Sequence, residues 1–255
     1  MAYNPDEVYK KYLVEGVSKT AKYFNKSLSW VRWLLTKHNR KLRSPGPRSN
    51  KVNQKYFSHI NTPSKAYFLG LLAADGCVST KRNAIKLTLK NEDAYLLEYL
   101  REELEAENKV RTYGPYSTFE VSSRRLKSDL SCYGVTPQKT HNLSWPNLKE
   151  SFYPHYIRGF IDGDGCWFIR NREGVTPTLG LQIASASQDF LKELQRQLTE
   201  NTGIPNKRPY KIKTAQCYEL KYSGNNLSTK IKKYVYPKTM GKFYMTRKHD
   251  VCATK

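Results

Sequence analysis

At 255 residues the chain is long enough for one sizeable core plus a small appended domain, so it needs no disulfide or metal staples to fold. Its 44 Lys and Arg against 22 Asp and Glu leave a net charge of +22, a surplus that repels itself until an anionic partner, nucleic acid first among them, neutralises it. No apolar run reaches membrane-spanning length, the start Met1-Ala2-Tyr3-Asn4-Pro5 lacks a signal peptide's basic and apolar regions, and the five cysteines (Cys77, Cys132, Cys166, Cys217, Cys252) include no Cys-x-x-Cys pair; the expectation is a soluble, unexported, cytoplasmic protein without a disulfide framework or zinc cage.

From the N-terminus to about residue 44 the spacing predicts three short helices. Asn4 caps the first, with Pro5 at its first position and Tyr9, Tyr12 and Leu13 on one face, and Gly16 ends it. The second runs from Ser18 to Phe24 with Ala21 inward; Asn25 makes a left-handed turn, and Ser27 caps a third helix to about His38 with Val31, Leu34 and Leu35 on the core side. The placement of Ala21, Asn25, Val31 and Leu34 resembles the helix-turn-helix family, with Asn where Gly is usual. That resemblance implies a third helix in the DNA major groove presenting Ser29, Arg32 and Trp33, with Arg32 the residue suited to guanine. Trp30 and Trp33 are equally compatible with a core position.

Charge supports a nucleic-acid partner here. No acidic residue lies between Glu15 and Asp75, while twelve Lys and Arg accumulate; a solvated face ordinarily mixes both signs. Residues 45–61 are expected as a basic linker: Arg43-Ser44-Pro45-Gly46-Pro47-Arg48 forbids regular structure, and Arg43 and Arg48 suit a narrow, negative minor groove, although a plain flexible tether is equally consistent.

From residue 62 the chain repeats itself. Ala66-Tyr67-Phe68-Leu69-Gly70-Leu71-Leu72-Ala73-Ala74-Asp75-Gly76-Cys77 matches Tyr156-Ile157-Arg158-Gly159-Phe160-Ile161-Asp162-Gly163-Asp164-Gly165-Cys166 from its aromatic onward, the two Asp-Gly-Cys ends 89 positions apart. A strand at 85–90 aligns with one at 179–184, and helices at 93–104 and 187–198 follow. Strands at 110–113 and 119–122 align with 210–214 and 218–222, and a last helix ends each copy. The pattern predicts an α+β fold of two pseudo-symmetric αββαββα halves, 62–150 and 151–255, after the all-α N-terminal domain of residues 1–44.

In each copy small residues sit four apart, Gly70 with Ala74 and Gly159 with Gly163, so the two helices can approach backbone to backbone. Asp75 and Asp164 then stand at helix C-termini, where the dipole disfavours an anion by about 0.3–1 kcal/mol each and like charges add repulsion. Divalent cations between paired carboxylates answer that cost, and magnesium suits an all-oxygen site that takes a substrate phosphate as ligand. An EF-hand loop starting at Asp162 and ending at Glu173 is excluded, because Trp167 stands where that loop needs glycine and Cys166 where it needs an oxygen ligand.

Both segments resemble the LAGLIDADG motif of the homing endonucleases, and the resemblance covers about residues 62–255. It implies that the motif helices form the interface between two α/β halves whose sheets straddle the DNA major groove. It also implies Asp75 and Asp164 as ligands of Mg2+ (or Mn2+), assisted by the main-chain carbonyls of Ala74 and Gly163. The motif's earlier acid is Ala73 in the first copy and Asp162 in the second; that position is not the metal-binding one, so the difference is expected to leave activity intact. The family further places a basic residue beside the scissile phosphate, which the aligned Pro-(x)-Lys-Thr segments match with Lys139 and Lys238.

Strand alternation supplies the DNA-facing set: Lys86, Thr88 and Lys90 opposite Ile85, Leu87 and Leu89, and Gln182 in the second copy, with Arg111, Tyr113, Lys211 and Lys213 on the same face and Arg170 and Arg172 just past the second motif. The expected function is a monomeric, magnesium-dependent endonuclease making a double-strand break in a long, non-palindromic DNA target. An intron-splicing maturase and a non-cleaving DNA-binding regulator are the alternatives on the same fold. A mobile-element origin, phage or organelle, is implied by the resemblance alone.

Overall fold

The computed structural model describes residues 3–42, 51–213 and 215–253, with all side chains except those of Arg172, Val175, Cys252 and Ala253. The chain divides into two compact units, Met1–Ser49 and Asn50–Lys255.

In the first unit, α1 (Pro5–Tyr23) opens with the Asn4 side chain accepting from the Asp6 amide and is broken at Gly16, whose φ of 77° only glycine adopts without strain. It is therefore two helices in effect, as the sequence predicts. Asn25 turns the chain at φ 50°, and Ser27 caps α2 (Leu28–Lys37) by accepting from the Trp30 amide. Val8, Tyr12, Ala21, Val31, Leu34 and Leu35 form its core, with Trp30 packed against it. Leu13 points outward and Val8, one turn before Tyr12, takes the core position instead.

The second unit holds two copies of one topology. In the first, α3 (Pro63–Asp75) leads into β1 (Gly76–Val78), β2 (Ala84–Lys90), α4 (Ala94–Glu103), β3 (Arg111–Tyr113), β4 (Tyr116–Ser122) and α5 (Arg124–Cys132). In the second, α6 (Tyr153–Asp164) leads into β5 (Gly165–Arg172), β6 (Val175–Ser185), α7 (Gln188–Thr202), β7 (Tyr210–Lys211), β8 (Tyr218–Ser223) and α8 (Asn225–Val235). Both sheets are antiparallel, ordered β1-β2-β4-β3 and β5-β6-β8-β7. A further helix, α9 (Thr246–Ala253), has no counterpart in the first copy.

The two motif helices pack so closely that side chains are excluded from their seam. A Cβ on Gly70 would lie 2.0 Å from the Tyr156 carbonyl oxygen, and one on Gly159 would lie 2.0 Å from that of Tyr67. The two contacts are pseudo-symmetric equivalents, so the small-residue spacing is used as the sequence predicts. Around this seam Tyr67, Phe68, Leu71, Tyr156, Ile157 and Phe160 are fully buried, joining both halves in one core.

Residues 51–61 correct the linker expectation. Tyr56, Phe57 and Ile60 belong to the core of the second unit, the Asn53 amide donates to the Leu104 carbonyl, and the Tyr56 hydroxyl donates to Glu103 at 2.7 Å. Burying two aromatic rings and an isoleucine holds this segment down, whatever its lysines suggest. Arg43 and Arg48, expected along the minor groove, lie outside the described residues.

Candidate active site and nucleic-acid interface

The close approach of α3 and α6 brings their C-terminal ends together. A Cβ on Gly163 would meet the Ala74 Cβ at 2.3 Å and the Asp75 Oδ2 at 3.2 Å, which places Asp75 against the last turn of the opposite helix. Asp75 and Asp164 both reach solvent. Loss of hydration among the surrounding protein atoms is the main cause that raises both above the usual carboxylate range; Asp164, opposed further by the charge of Asp75, rises to about 6. Among the described residues neither carboxylate accepts a hydrogen bond or joins an ion pair.

A helix leaves its last carbonyls without intrahelical donors, and here two lysines supply them. Lys139, which follows Gln138 at φ 59°, donates from Nζ to the Ala74 carbonyl at 2.9 Å. On the other side Lys248, on α9, donates to the carbonyls of Ile161 at 3.1 Å, Gly163 at 3.0 Å and Gly165 at 2.6 Å. Ala74 and Gly163 are equivalent positions of the two copies, so Lys139 and Lys248 are the equivalent cations. Burial lowers both ammonium groups from the ordinary lysine value, and the nearby aspartates oppose that shift.

This corrects the expectation for Lys238. It stands exposed in a one-turn helix, Lys238–Met240, and the charges acting on Asp164 are those of Asp75, Lys139 and Lys248. The aligned Pro-(x)-Lys-Thr segments misled because the second copy does not end where the first does. Beyond α8 the chain crosses back over the motif helices before presenting its lysine.

Asp162, the motif's earlier acid, is fully buried, and its Oδ2 accepts from the Tyr67 hydroxyl at 2.9 Å and the Met245 amide at 2.7 Å. Burial raises it to about 6. One turn earlier the buried Arg158 donates to the carbonyls of Phe243 and Val235 and contacts His155. In the first copy these three positions are Ala66, Leu69 and Ala73, so only α6 carries a polar stripe.

The sheets present one face each away from the helices. In the first, Lys86 and Lys90 are exposed and Thr88 half-buried, and the ladder puts Arg111 opposite Thr118 and Tyr113 opposite Tyr116, all on that face as expected. A cleft lined by Cys77, Arg82, Lys86, Glu120, Gln138 and Lys139 opens beside it. In the second sheet Arg170 is exposed, opposite Thr178, on the face that carries Gln182. Gln182 donates to the buried Glu219, to which the Tyr210 hydroxyl also donates. Tyr210 is directly opposite Glu219 and so shares its face, which puts Lys211 on the other one; a two-residue exposed strand offers no burial pattern from which to phase it. Lys213 lies in the turn beyond, exposed, and the Arg172 side chain is outside the described ones. The alternation at 179–184 also places Lys221 and Phe168 on this face, the Lys221 ammonium 5.6 Å from the Phe168 ring centroid.

In the first unit α2 buries Val31, Leu34 and Leu35 and exposes Ser29, Arg32 and Trp33 on its other side. Trp33 is 55% exposed with the Lys37 ammonium 4.9 Å from its ring. Trp30 is the tryptophan that packs.

Residues 151–233 match the family model of the LAGLIDADG-like domain, and residues 62–132 repeat its topology strand for strand around the same helix seam. The second copy is thus a LAGLIDADG-like domain. Its fold is similar to that of the LAGLIDADG meganuclease I-AabMI (15% identity over 76% of this chain and 90% of that one, TM-score 0.52). It is likewise similar to a point mutant of I-SmaMI (14% identity, 75% and 89% covered, TM-score 0.50). No curated protein sequence matches it. No helix among the described residues is long and apolar enough to cross a membrane.

Proposed function

We propose that this chain is a site-specific endonuclease that makes a magnesium-dependent double-strand break in a long, non-palindromic DNA target, acting as a monomer. The observation that carries the reading is the pair of carboxylates, Asp75 and Asp164, unpartnered among the described residues and each set at a helix end beside a lysine held on the neighbouring carbonyl. Solved proteins of this fold are described as bound to DNA, I-AabMI to uncleaved DNA and I-SmaMI to uncleaveable DNA. The donor set is all oxygen, the carboxylates of Asp75 and Asp164 with the second lone pairs of the Ala74 and Gly163 carbonyls, whose first lone pairs accept from Lys139 and Lys248, and its chemistry fits magnesium or manganese. Asp75 and Asp164 would hold such a cation, which would supply charge neutralisation to a phosphodiester displacement.

The protein's own groups do the rest. Lys139 and Lys248 hold fixed positive charge where the phosphate gains negative charge. The outward sheet faces, through Lys86, Thr88, Lys90, Arg111, Tyr113, Arg170 and Gln182, orient the duplex, and because the two faces differ in side chains the target has no two-fold sequence symmetry. The first unit adds Ser29, Arg32 and Trp33 of α2 as a helix-turn-helix contact. The test is incubation with fragmented source DNA in magnesium and in EDTA, followed by sequencing of new ends. Discrete magnesium-dependent double-strand breaks support the reading; tight binding without cutting under any divalent metal overturns it in favour of a regulator or maturase.

Two results follow from the geometry. Lys248→Ala slows cleavage by about 10²–10³-fold, the usual cost of removing one preorganised donor, whereas Lys238→Ala cuts within about twofold of the parent rate. Single-turnover rates on a cognate duplex decide it, and equal losses from both substitutions would restore Lys238 to the site. Acid also disables the site. A metal must displace the proton that Asp164 retains up to about pH 6, so at subsaturating magnesium the cleavage rate falls roughly tenfold per pH unit below that value and recovers with added metal. A rate flat from pH 7 to pH 5 would exclude the raised carboxylate from metal binding.

A further inference from the structure

After α8 the chain forms a strap, residues 236–253, that lies across both halves. It is tied to the second half through Arg158 and Asp162 and to the first through the Phe243 ring, packed against Tyr67, Phe68 and Tyr99, and through polar contacts. The Tyr95 hydroxyl accepts from the Thr246 amide at 2.7 Å and lies 3.1 Å from the Tyr244 carbonyl; Arg247 pairs with the buried Asp93 at 2.9 Å; and Lys242 reaches Glu102 at 3.7 Å. Asp75, Asp93, Asp162, Met245 and Arg247 line one small cleft, so these ties converge beside the candidate site.

The ties concentrate on two adjacent amides. Met245 precedes α9 and Thr246 begins it, where backbone N–H groups lack intrahelical acceptors; the first is taken by Asp162 of the second half and the next by Tyr95 of the first. The Lys248 and His249 amides then close the opening turn on the Met245 carbonyl, each at 3.0 Å. Lys248 thus sits on a turn whose start is fixed jointly by the two halves.

We propose that Asp162 and Tyr95 are positioning residues that place Lys248: they pin the first turn of α9 from opposite halves. An error in the alignment of the halves is thereby passed to the second cation, while Lys139, carried on a loop of its own half, is insulated from it. This rests on the endonuclease reading for its kinetic part only. The asymmetry of the stripe supports it, since His155, Arg158 and Asp162 replace Ala66, Leu69 and Ala73 only in the copy that receives the strap.

The test uses the full chain with Asp162→Ala, Asp162→Asn and Tyr95→Phe. Tyr95 is partly exposed and its loss removes only a hydroxyl, so that variant keeps the fold even if Asp162→Ala does not. Amide hydrogen exchange, read without DNA or metal, should quicken at least tenfold over residues 244–250 in Tyr95→Phe and Asp162→Ala and stay unchanged in α3 and β2. Asp162→Asn, which retains an oxygen where both donors converge, should be rescued. On a cognate duplex the slowed step should be confined to one strand, because the pseudo-two-fold relation of the halves gives each lysine its own strand. Adding Lys248→Ala to either variant should slow that strand no further than Lys248→Ala alone. Unchanged exchange over 244–250, equal slowing of both strands, or additive losses in the double variants would each overturn the proposal. Failure of the parent protein to cut any DNA would instead count against the endonuclease reading, and the exchange result would still decide the positioning.

Discussion

Asp75→Asn and Asp164→Asn, made singly, each abolish double-strand cleavage, by about 10³-fold or more, while DNA binding in EDTA stays equal to or tighter than that of the parent. A carboxylate that holds a cation contributes several kcal/mol of charge stabilisation to phosphodiester displacement, and each ~1.4 kcal/mol lost is tenfold in rate. The amide keeps the shape of the side chain and removes the charge. Because neither carboxylate holds a hydrogen bond or an ion pair among the described residues, the substitution breaks no structural contact. It also takes a negative charge away from where the proposed site would hold the DNA phosphates, so binding without metal is not expected to weaken on electrostatic grounds. Single-turnover cleavage with and without magnesium, paired with titration of labelled duplex in EDTA, separates the two effects. Either variant cutting within tenfold of the parent would remove that aspartate from the chemistry.

The second large effect is on stability. Gly159→Ala is expected to lower the unfolding free energy of the second unit by more than about 3 kcal/mol, at or beyond the upper end of the usual cost of overpacking. The obstacle is the Tyr67 carbonyl oxygen 2.0 Å from the new methyl, a backbone atom inside its own helix that can yield only if α3 and α6 separate. For a unit of this size that corresponds to a drop of roughly 10 °C in the unfolding midpoint. Gly163→Ala supplies the contrast. Its new methyl meets the Ala74 Cβ, a side-chain atom, at 2.3 Å, so Ala74→Gly in the same chain should recover much of the loss. Calorimetry or denaturant titration of the three variants checks both statements. A Gly159→Ala protein as stable as its parent would mean that the seam is looser than these contacts require.

Much of this is legible in the amino-acid sequence. The two Asp-Gly ends 89 residues apart, the Gly and Ala spacing that leads to them, and the alternation of Ile85, Leu87 and Leu89 with Lys86, Thr88 and Lys90 are local periodicities, and local periodicity decides which face of a helix or strand meets the core. They sufficed for the two halves, the helix seam and the carboxylate pair, and Asn4, Gly16, Asn25 and Ser27 sufficed for the helices of the first unit. Lys248 was not legible, because its role depends on where a strap with no copy in the first half returns through space. Nothing in the spacing of residues 236–253 encodes that return; it comes from the buried Arg158 and Asp162, whose polar groups find partners in the Phe243 carbonyl and the Met245 amide and so draw the strap over them. Lys211 and residues 51–61 share that cause: side-chain type suggested exposure to DNA, and pairing opposite Tyr218 in one case and apolar burial in the other decided differently. The sequence by itself determined the elements, their faces and the aspartates, since those follow from neighbours along the chain. Only the tertiary structure decided which lysine joins them, because that follows from neighbours brought together by packing.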